Sequence, residues 1–269
     1  SQCAIENINI PSHVKEIYPM AFYCCNQLKT VEFSENSELK IIGNKAFYNS
    51  IIEDITIPTS VVEFKDGWNT GMKNLKTIRI SENGNLPLKI SDDEKYILGK
   101  TDPNSDEYDS LFFSYKDITE ATIPPFIKQI ASNAFAYSNL ESIKIPKQVT
   151  EICQYAFSNC KNLHQIEFEE ISDLNIIGEY AFQETPIENM TIPKHVSKIS
   201  EGTFKNCEKM QQINFYDDCE LKIIDKLAFY STNINEITIP ASVIELKDEW
   251  LKFSKLNVKI SENNKRYKN

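Results

Sequence analysis

The chain has 269 residues, 41% of them apolar, with 15 Phe, 12 Tyr and only 7 Gly, and a net charge of −10 with a pI near 5.0. That apolar content excludes a disordered chain, the scarcity of Gly argues against a turn-rich sandwich or propeller, and the acidity argues against a nucleic-acid partner, whose phosphates call for Lys and Arg. No apolar run reaches the roughly 18 to 20 residues that cross a bilayer and no charged-then-apolar leader opens the chain, so no membrane insertion is expected of this stretch.

Taken in order, the chain repeats itself. Eleven apolar anchors, Ile5, Leu28, Ile52, Leu75, Ile118, Leu140, Leu163, Ile187, Met210, Ile234 and Leu256, follow one another at steps of 22 to 24 residues with a single step of 43. After each anchor comes an apolar alternation, as in Ile143 and Ile145, which predicts a short strand with one buried face. In six repeats the strand closes on Pro (Pro11, Pro58, Pro124, Pro146, Pro193 and Pro240), which lacks the N–H a continuing ladder needs and turns the chain away. The repeats at Leu28, Leu163 and Met210 replace that Pro with an acidic, polar loop such as S-E-N-S-E-L-K-I-I-G. Then comes Ala-Phe, as in Ala156-Phe157, with an apolar residue five before the Phe; that spacing predicts one or two helical turns with Ala and Phe on the strand side. No single repeat can bury so many apolar side chains, so each must stack on the next.

The I-P-x-x-V-x-x-I-x-x-x-A-F-x-x-C-x-x-L pattern, clearest over Ile145 to Leu163 and Ile192 to Met210, resembles the BspA-like class of leucine-rich repeats. That class is found in surface proteins of anaerobic mucosal bacteria and of parasitic protists such as Trichomonas and Entamoeba. The resemblance implies an α/β repeat: a leucine-rich-repeat solenoid with a parallel β-sheet on one face, short helical turns on the other and one inserted β-hairpin. Pro stands where the commoner leucine-rich repeats carry the Asn of their hydrogen-bonded ladder. The expected division is a first repeat segment over 1–80, the inserted hairpin over 81–117 and a second repeat segment over 118–269, read as part of a longer array.

The hairpin reading rests on Lys95 to Lys100 and Ser110 to Tyr115, two apolar runs around the polar T-D-P-N-S-D-E-Y-D. Its Ile97, Leu98, Leu111 and Phe112 are read as packing on the sheet between the array segments. Trp68 and Trp250 each replace the Ala-Phe unit of their repeat and each precedes an I-S-E-N, at Ile80 to Asn83 and Ile260 to Asn263. They mark a larger repeat superposed on the small one.

Chemistry-bearing motifs are scarce. Asp102, Asn104 and Asp106 begin like a calcium loop, but Glu107 stands where Gly is needed and Phe113 where a bidentate Glu is needed, so the segment reads as a solvated turn and no metal is expected. His13 and His195 share one repeat position and His164 follows an anchor, which puts the three apart. No nucleophile and base can be paired, no cofactor motif occurs, and no catalytic residue is assigned. Of the seven cysteines, Cys25, Cys160 and Cys207 stand three residues after a repeat Phe, where other repeats carry Ser50, Ser138, Thr185 and Thr232; they read as buried free thiols. Asn189 opens the N-x-T sequon Asn189-Met190-Thr191, a glycosylation site in a secreted parent.

The remaining candidate is the outward sheet face. One side chain between the two buried residues of each strand must meet solvent, and from that face Glu32, Arg79, Lys144, Glu167, Asn214 and the adjacent Tyr216 are the candidate binding residues. Two functions compete. By the resemblance, the chain is a non-catalytic protein-binding or adhesion module at the cell surface, recognising protein or matrix ligands of a host or a neighbouring cell. The alternative is a cytoplasmic scaffold for protein partners, which unpaired thiols would suit.

Overall fold

The computed structural model describes residues 3–80, 87–251 and 257–267. The expected anchor Leu256 and the Ser81 to Asn83 part of the first I-S-E-N lie outside the described residues. The chain divides into two compact units, one of Ser1–Tyr108 with Phe112–Lys116 and the other of Asp109–Leu111 with Asp117–Asn269.

Within each unit the repeats are stacked coils of a solenoid, and each coil carries two strands. The longer ones form parallel ladders: Asn7–Ile10 with Thr30–Phe33 and Asp54–Ile57 with Thr77–Ile80 in the first unit. In the second, Glu120–Thr122 pairs with Ser142–Ile145, which pairs with Gln165–Phe168; Asn189–Ile192 pairs with Gln212–Phe215, and Glu236–Ile239 with Asn257–Ile260. Alternation decides the faces, since Ile143 and Ile145 are buried while Lys144 between them is exposed. The Pro carbonyls close the strands into turns, because Pro146 accepts the N–H of Val149 at 3.2 Å and the other five strand-ending prolines likewise accept the N–H three residues on. In the loop-type coils Leu39, Leu174 and Leu221, all 0% exposed, fill the place of that Val.

A second parallel ladder follows each turn. It runs through the two-residue strands Glu16–Ile17, Ile41–Ile42 and Glu63–Phe64 in the first unit. In the second it runs from Ser110 and Leu111 through Gln129–Ile130, Glu151–Ile152, Ile176–Ile177, Lys198–Ile199 and Ile223–Ile224 to Glu245–Leu246.

The expected helical turns are not there: no helix occurs among the described residues. The reason lies in the backbone of the Ala-Phe segment. A helix sends each N–H to the carbonyl four residues back, but Phe157 N–H donates to Ala181 O at 2.8 Å in the next coil, and Tyr155 and Asn159 donate likewise to Glu179 and Gln183. The alternate residues close tight turns three residues back, as Ala156 does onto Cys153 O and Ser158 onto Tyr155 O. The residues two before and two after each Phe have positive φ, 56° at Tyr155 and 60° at Asn159, which ends any right-handed run after a few residues. The third side of each coil is therefore a third ladder between coils, and the spacing that imitates a helix is set by these alternating turns.

The core is the stack of coil interiors. Phe135, Phe157, Phe182, Phe204 and Phe229 lie in one file with centroids 5.0 to 5.6 Å apart and planes within 12°. Phe22 and Phe47 stack at 5.5 Å in the first unit. Trp68 and Trp250 take the Ala slot rather than the Phe slot, for their N–H groups bond Lys65 O and Lys247 O as Ala156 bonds Cys153 O. The thiols of Cys160 and Cys207 are fully buried and donate to Phe135 O and Phe182 O, each at 3.0 Å, and all seven cysteines are free. The inserted segment forms Tyr96–Gly99, antiparallel to Lys89–Ile90 and beside Ser110–Ser114. Ile97, Leu98 and Leu111 are buried, and Phe112 stacks over Trp68 at 6.3 Å. The short strand Lys89–Ile90 was not expected; two residues carry no readable alternation.

Candidate functional site

The outward sheet face is built by the same alternation that fills the core. Asn9 stands beside Glu32 and Thr56 beside Arg79 in the first unit. In the second, Thr122, Lys144 and Glu167 form one row, and Thr191 faces Asn214. Glu32, Arg79, Lys144, Glu167 and Tyr216 are exposed and Asn214 is half-buried.

Several of these side chains are held by the neighbouring coil. Arg79 donates to Asp54 at 3.3 Å, so its guanidinium is not a free anchor, and Lys144 sits 3.7 Å from Glu169. The flanking pairs Lys29–Glu6, Lys76–Glu53 and Lys259–Glu236 repeat the arrangement at 3.4, 2.7 and 2.7 Å. Exposed pairs of this kind are screened by solvent and add little to stability. Their larger effect is to neutralise the face locally. Glu167 accepts from Gln165 at 2.6 Å.

The face is not uniform along the second unit. The strands Gln212–Phe215 and Glu236–Ile239 lie side by side, yet no ladder joins them among the described residues. There a cavity of about 620 Å³ opens, lined by both strands together with Asn189, Gln211, Asp217, Asn235 and Ser261. Two of the six expected residues, Asn214 and Tyr216, line it, as does the sequon residue Asn189; Lys144 and Glu167 lie beside each other on other strands. Tyr216 is 52% exposed and its carbonyl accepts the N–H of Cys219 at 3.1 Å, which fixes the turn that presents the ring. Close by, the carboxyl of Asp218 is held below the usual carboxylate range by its bond with Lys194 at 2.6 Å.

Sequence reading missed Gln211, Gln212 and Asn235. The alternation signal for Gln212 was available, because the first residue of each strand also points outward. The cavity was not available, since it depends on how side chains of two neighbouring coils meet.

Other candidates disperse. Asp102 Oδ1 accepts the N–H of Asn104 at 2.9 Å, an Asx turn, and no group of three or more metal-ligating side chains occurs among the described residues. His195 faces Glu220 at 3.0 Å, and His164 is bonded to Asn162 O. No helix among the described residues is long and apolar enough to cross a membrane.

No match occurs among curated proteins. Among solved structures the chain is similar to a leucine-rich repeat protein from Eubacterium ventriosum, with a TM-score of 0.68 and 22% identity over 95% of this chain and 78% of that one. It is also similar to a leucine-rich cell surface protein from Faecalibacterium prausnitzii, with a TM-score of 0.65 and 22% identity over 93% of this chain and 63% of that one. The pneumococcal vaccine antigen PcpA gives a TM-score of 0.62 and 19% identity over 96% of this chain and 68% of that one. At such identities these likenesses speak for the fold. The BspA type leucine-rich repeat region matches in six copies over residues 1–91 and 128–259, most of the chain, and with the stacked coils and Phe file described above this chain belongs to the BspA-type leucine-rich repeat family.

Proposed function

We propose that this chain is a non-catalytic binding module of a protein displayed at a cell surface, engaging protein or matrix ligands through the outward face of its parallel strands. The observation that carries the reading is the cavity at Asn214 and Tyr216, which interrupts a face whose neighbouring charges are already paired from coil to coil. A stacked-repeat sheet supplies an extended surface on which many modest contacts add, and display in many copies multiplies them. The cell-surface and antigen descriptions of two similar structures support the location.

The test is binding to immobilised basement-membrane extract, read by surface plasmon resonance. Lys144→Glu, Glu167→Lys and Tyr216→Ala should each weaken it at least threefold. Lys161→Glu, on the turn after the Phe file, should leave it unchanged. Equal loss with Lys161→Glu, or no loss with the three face variants, overturns the reading.

A second reading, an intracellular scaffold, is favoured by the seven free thiols. Thiol titration of unfolded, unreduced protein taken from its native source separates the two: paired cysteines exclude the scaffold, and seven free ones favour it.

A further inference from the structure

We infer that the cavity at Asn214 and Tyr216 is a binding site for a neutral hexopyranose residue of an oligosaccharide chain. This deepens the reading of the sheet face as the binding surface and names the chemistry of its ligand.

Side-chain amides are the commonest polar groups of the lining. Asn189, Gln211, Gln212, Asn214 and Asn235 bring five of them to one opening. Each amide offers one acceptor oxygen and a two-donor nitrogen, which matches sugar hydroxyls, groups that donate and accept at once and stand in adjacent pairs around a ring. Among the described residues the amides of Asn189, Gln211 and Asn235 make no hydrogen bond within the protein, so they remain available to a ligand. The amide of Gln212 donates to Asn214 Oδ1 at 2.9 Å, which orients both before any ligand arrives.

Charge selects the ligand further. Among the described residues no Lys, Arg or His lines the cavity, whereas Asp217 and Glu236 do. Glu236 is engaged by Lys259 at 2.7 Å and by Asn257 at 3.4 Å. A phosphate, sulfate or carboxylate would meet Asp217 and find the neighbouring Lys259 already paired with Glu236, which disfavours anionic glycans and nucleic acids. The half-exposed ring of Tyr216, presented by a fixed turn, offers a flat apolar plate of the kind that packs against the C–H face of a pyranose while its hydroxyl stays wet. The volume of about 620 Å³ lies within the range of small-molecule sites.

An extended peptide is the competing occupant, since it too bonds amides. Strand addition needs room beside an open edge, and Gln212–Phe215 and Glu236–Ile239 face each other with Cα atoms within 8 Å, closer than the roughly 9.5 Å that a strand inserted between them would need.

The test uses the full chain made in a bacterial host, so that Asn189 carries no glycan. Binding is measured by bio-layer interferometry to immobilised neutral oligosaccharides ending in glucose, galactose, mannose or N-acetylglucosamine, to heparin as the anionic probe, and to basement-membrane extract before and after enzymatic deglycosylation. The expected result is saturable binding to at least one neutral probe and none to heparin. Tyr216→Ala and Gln212→Ala should each lower the affinity at least tenfold, at unchanged thermal midpoint. Lys161→Glu should retain it. Loss of extract binding on deglycosylation identifies a glycoprotein chain as the source; neutral-probe binding with extract binding retained identifies a free polysaccharide. Absence of binding across the neutral panel, indifference to Tyr216→Ala, or preference for heparin overturns the sugar site. Extract binding that survives deglycosylation and still depends on Lys144 and Glu167, with no neutral probe bound, would leave the surface-binding reading standing on a peptide ligand and remove the sugar alone.

Discussion

The indole of Trp250 stands edge-on to the ring of Phe229, with centroids 6.2 Å apart and planes at 85°. Trp68 meets Phe47 in the other unit the same way, at 6.4 Å and 84°. In both units a file of parallel rings is met by a perpendicular indole that enters from the Ala slot of the next coil. Edge-to-face contact turns the positive rim of one ring to the negative face of the other, and in each unit the file of Phe rings gives way at that coil to the indole.

Because the file is continuous, an interior member has ring neighbours on two sides, Phe135 at 5.0 Å and Phe182 at 5.4 Å from Phe157. Phe157→Ala should destabilise the protein by about 3 to 5 kcal/mol. Phe22→Ala, at a half-buried ring stacked on Phe47, should cost clearly less. Urea denaturation followed by circular dichroism measures both, and equal costs would contradict a core that couples each coil to its neighbours.

Gly178 N–H bonds Ile152 O at 2.7 Å, and a Cβ added there would stand 2.5 Å from Gln154 N, backbone that cannot step aside. Gly178→Ala should cost about 1 to 3 kcal/mol. Gly99→Ala is the matched control, since its added carbon would meet only Leu88 and Phe112 side-chain atoms at 3.5 Å or beyond. A comparable loss at both positions in thermal melts would refute the close backbone approach.

Burial pushes the Cys207 thiol up to about 11, against its hydrogen bond with Thr185. At pH 8 on the order of one thiol in a thousand is ionised there, and it is enclosed as well. Alkylation of native protein with peptide mapping by mass spectrometry should therefore modify the partly exposed Cys3, Cys24 and Cys153 first and leave Cys160 and Cys207 untouched until the coils open. Early labelling of Cys207 would mean that its coil is loosely packed.

Burial works to raise the carboxyl of Asp225, but Lys198 at 2.7 Å and the backbone N–H of Lys226 at 2.8 Å outweigh it and hold the group below its ordinary value. A carboxyl lowered on folding stabilises above its unfolded value, about 4, and that stabilisation is lost as pH falls through the folded value. Asp225→Asn should reduce stability by under about 1 kcal/mol at pH 7. The variant's midpoint should also fall less steeply below pH 4 than that of the parent chain. Parallel acid limbs in melts from pH 7 to 2 would show that the pair is thermodynamically silent.

How far the sequence could be read follows from which forces leave a periodic trace. The alternation Ile143, Lys144, Ile145 and the recurring Pro146 dictated strand, face and turn, because burial selects apolar residues at every second position and Pro removes a donor wherever it stands. Coil length and stacking followed from the repeat step. The third side of the coil misled, since Ile152, Ala156 and Phe157 are spaced as on a helix while the bonds of Phe157 and Tyr155 run to the next coil. Asn133, Asn159, Asn206 and Gly202 at its left-handed positions were a readable sign, but Tyr155, Glu184 and Leu227 hold equivalent positions with no leaning to that conformation, and the hydrogen bonds that hold them there form only when another coil is stacked alongside.

The same division holds for the candidate site. By itself the amino-acid order determined that Asn214 and Thr238 face outward, for that is a matter of parity along a strand. Only the tertiary structure decided that Tyr216, Gln212 and Asn235 gather around one opening where those two strands meet without a ladder. Among the described residues the ladder stops after each loop-type coil, since Thr30–Phe33 and Gln165–Phe168 are likewise unpaired with the strand that follows, so the loop marks where pairing ends. Which side chains meet across such a break depends on how coils of unequal loop length settle against one another.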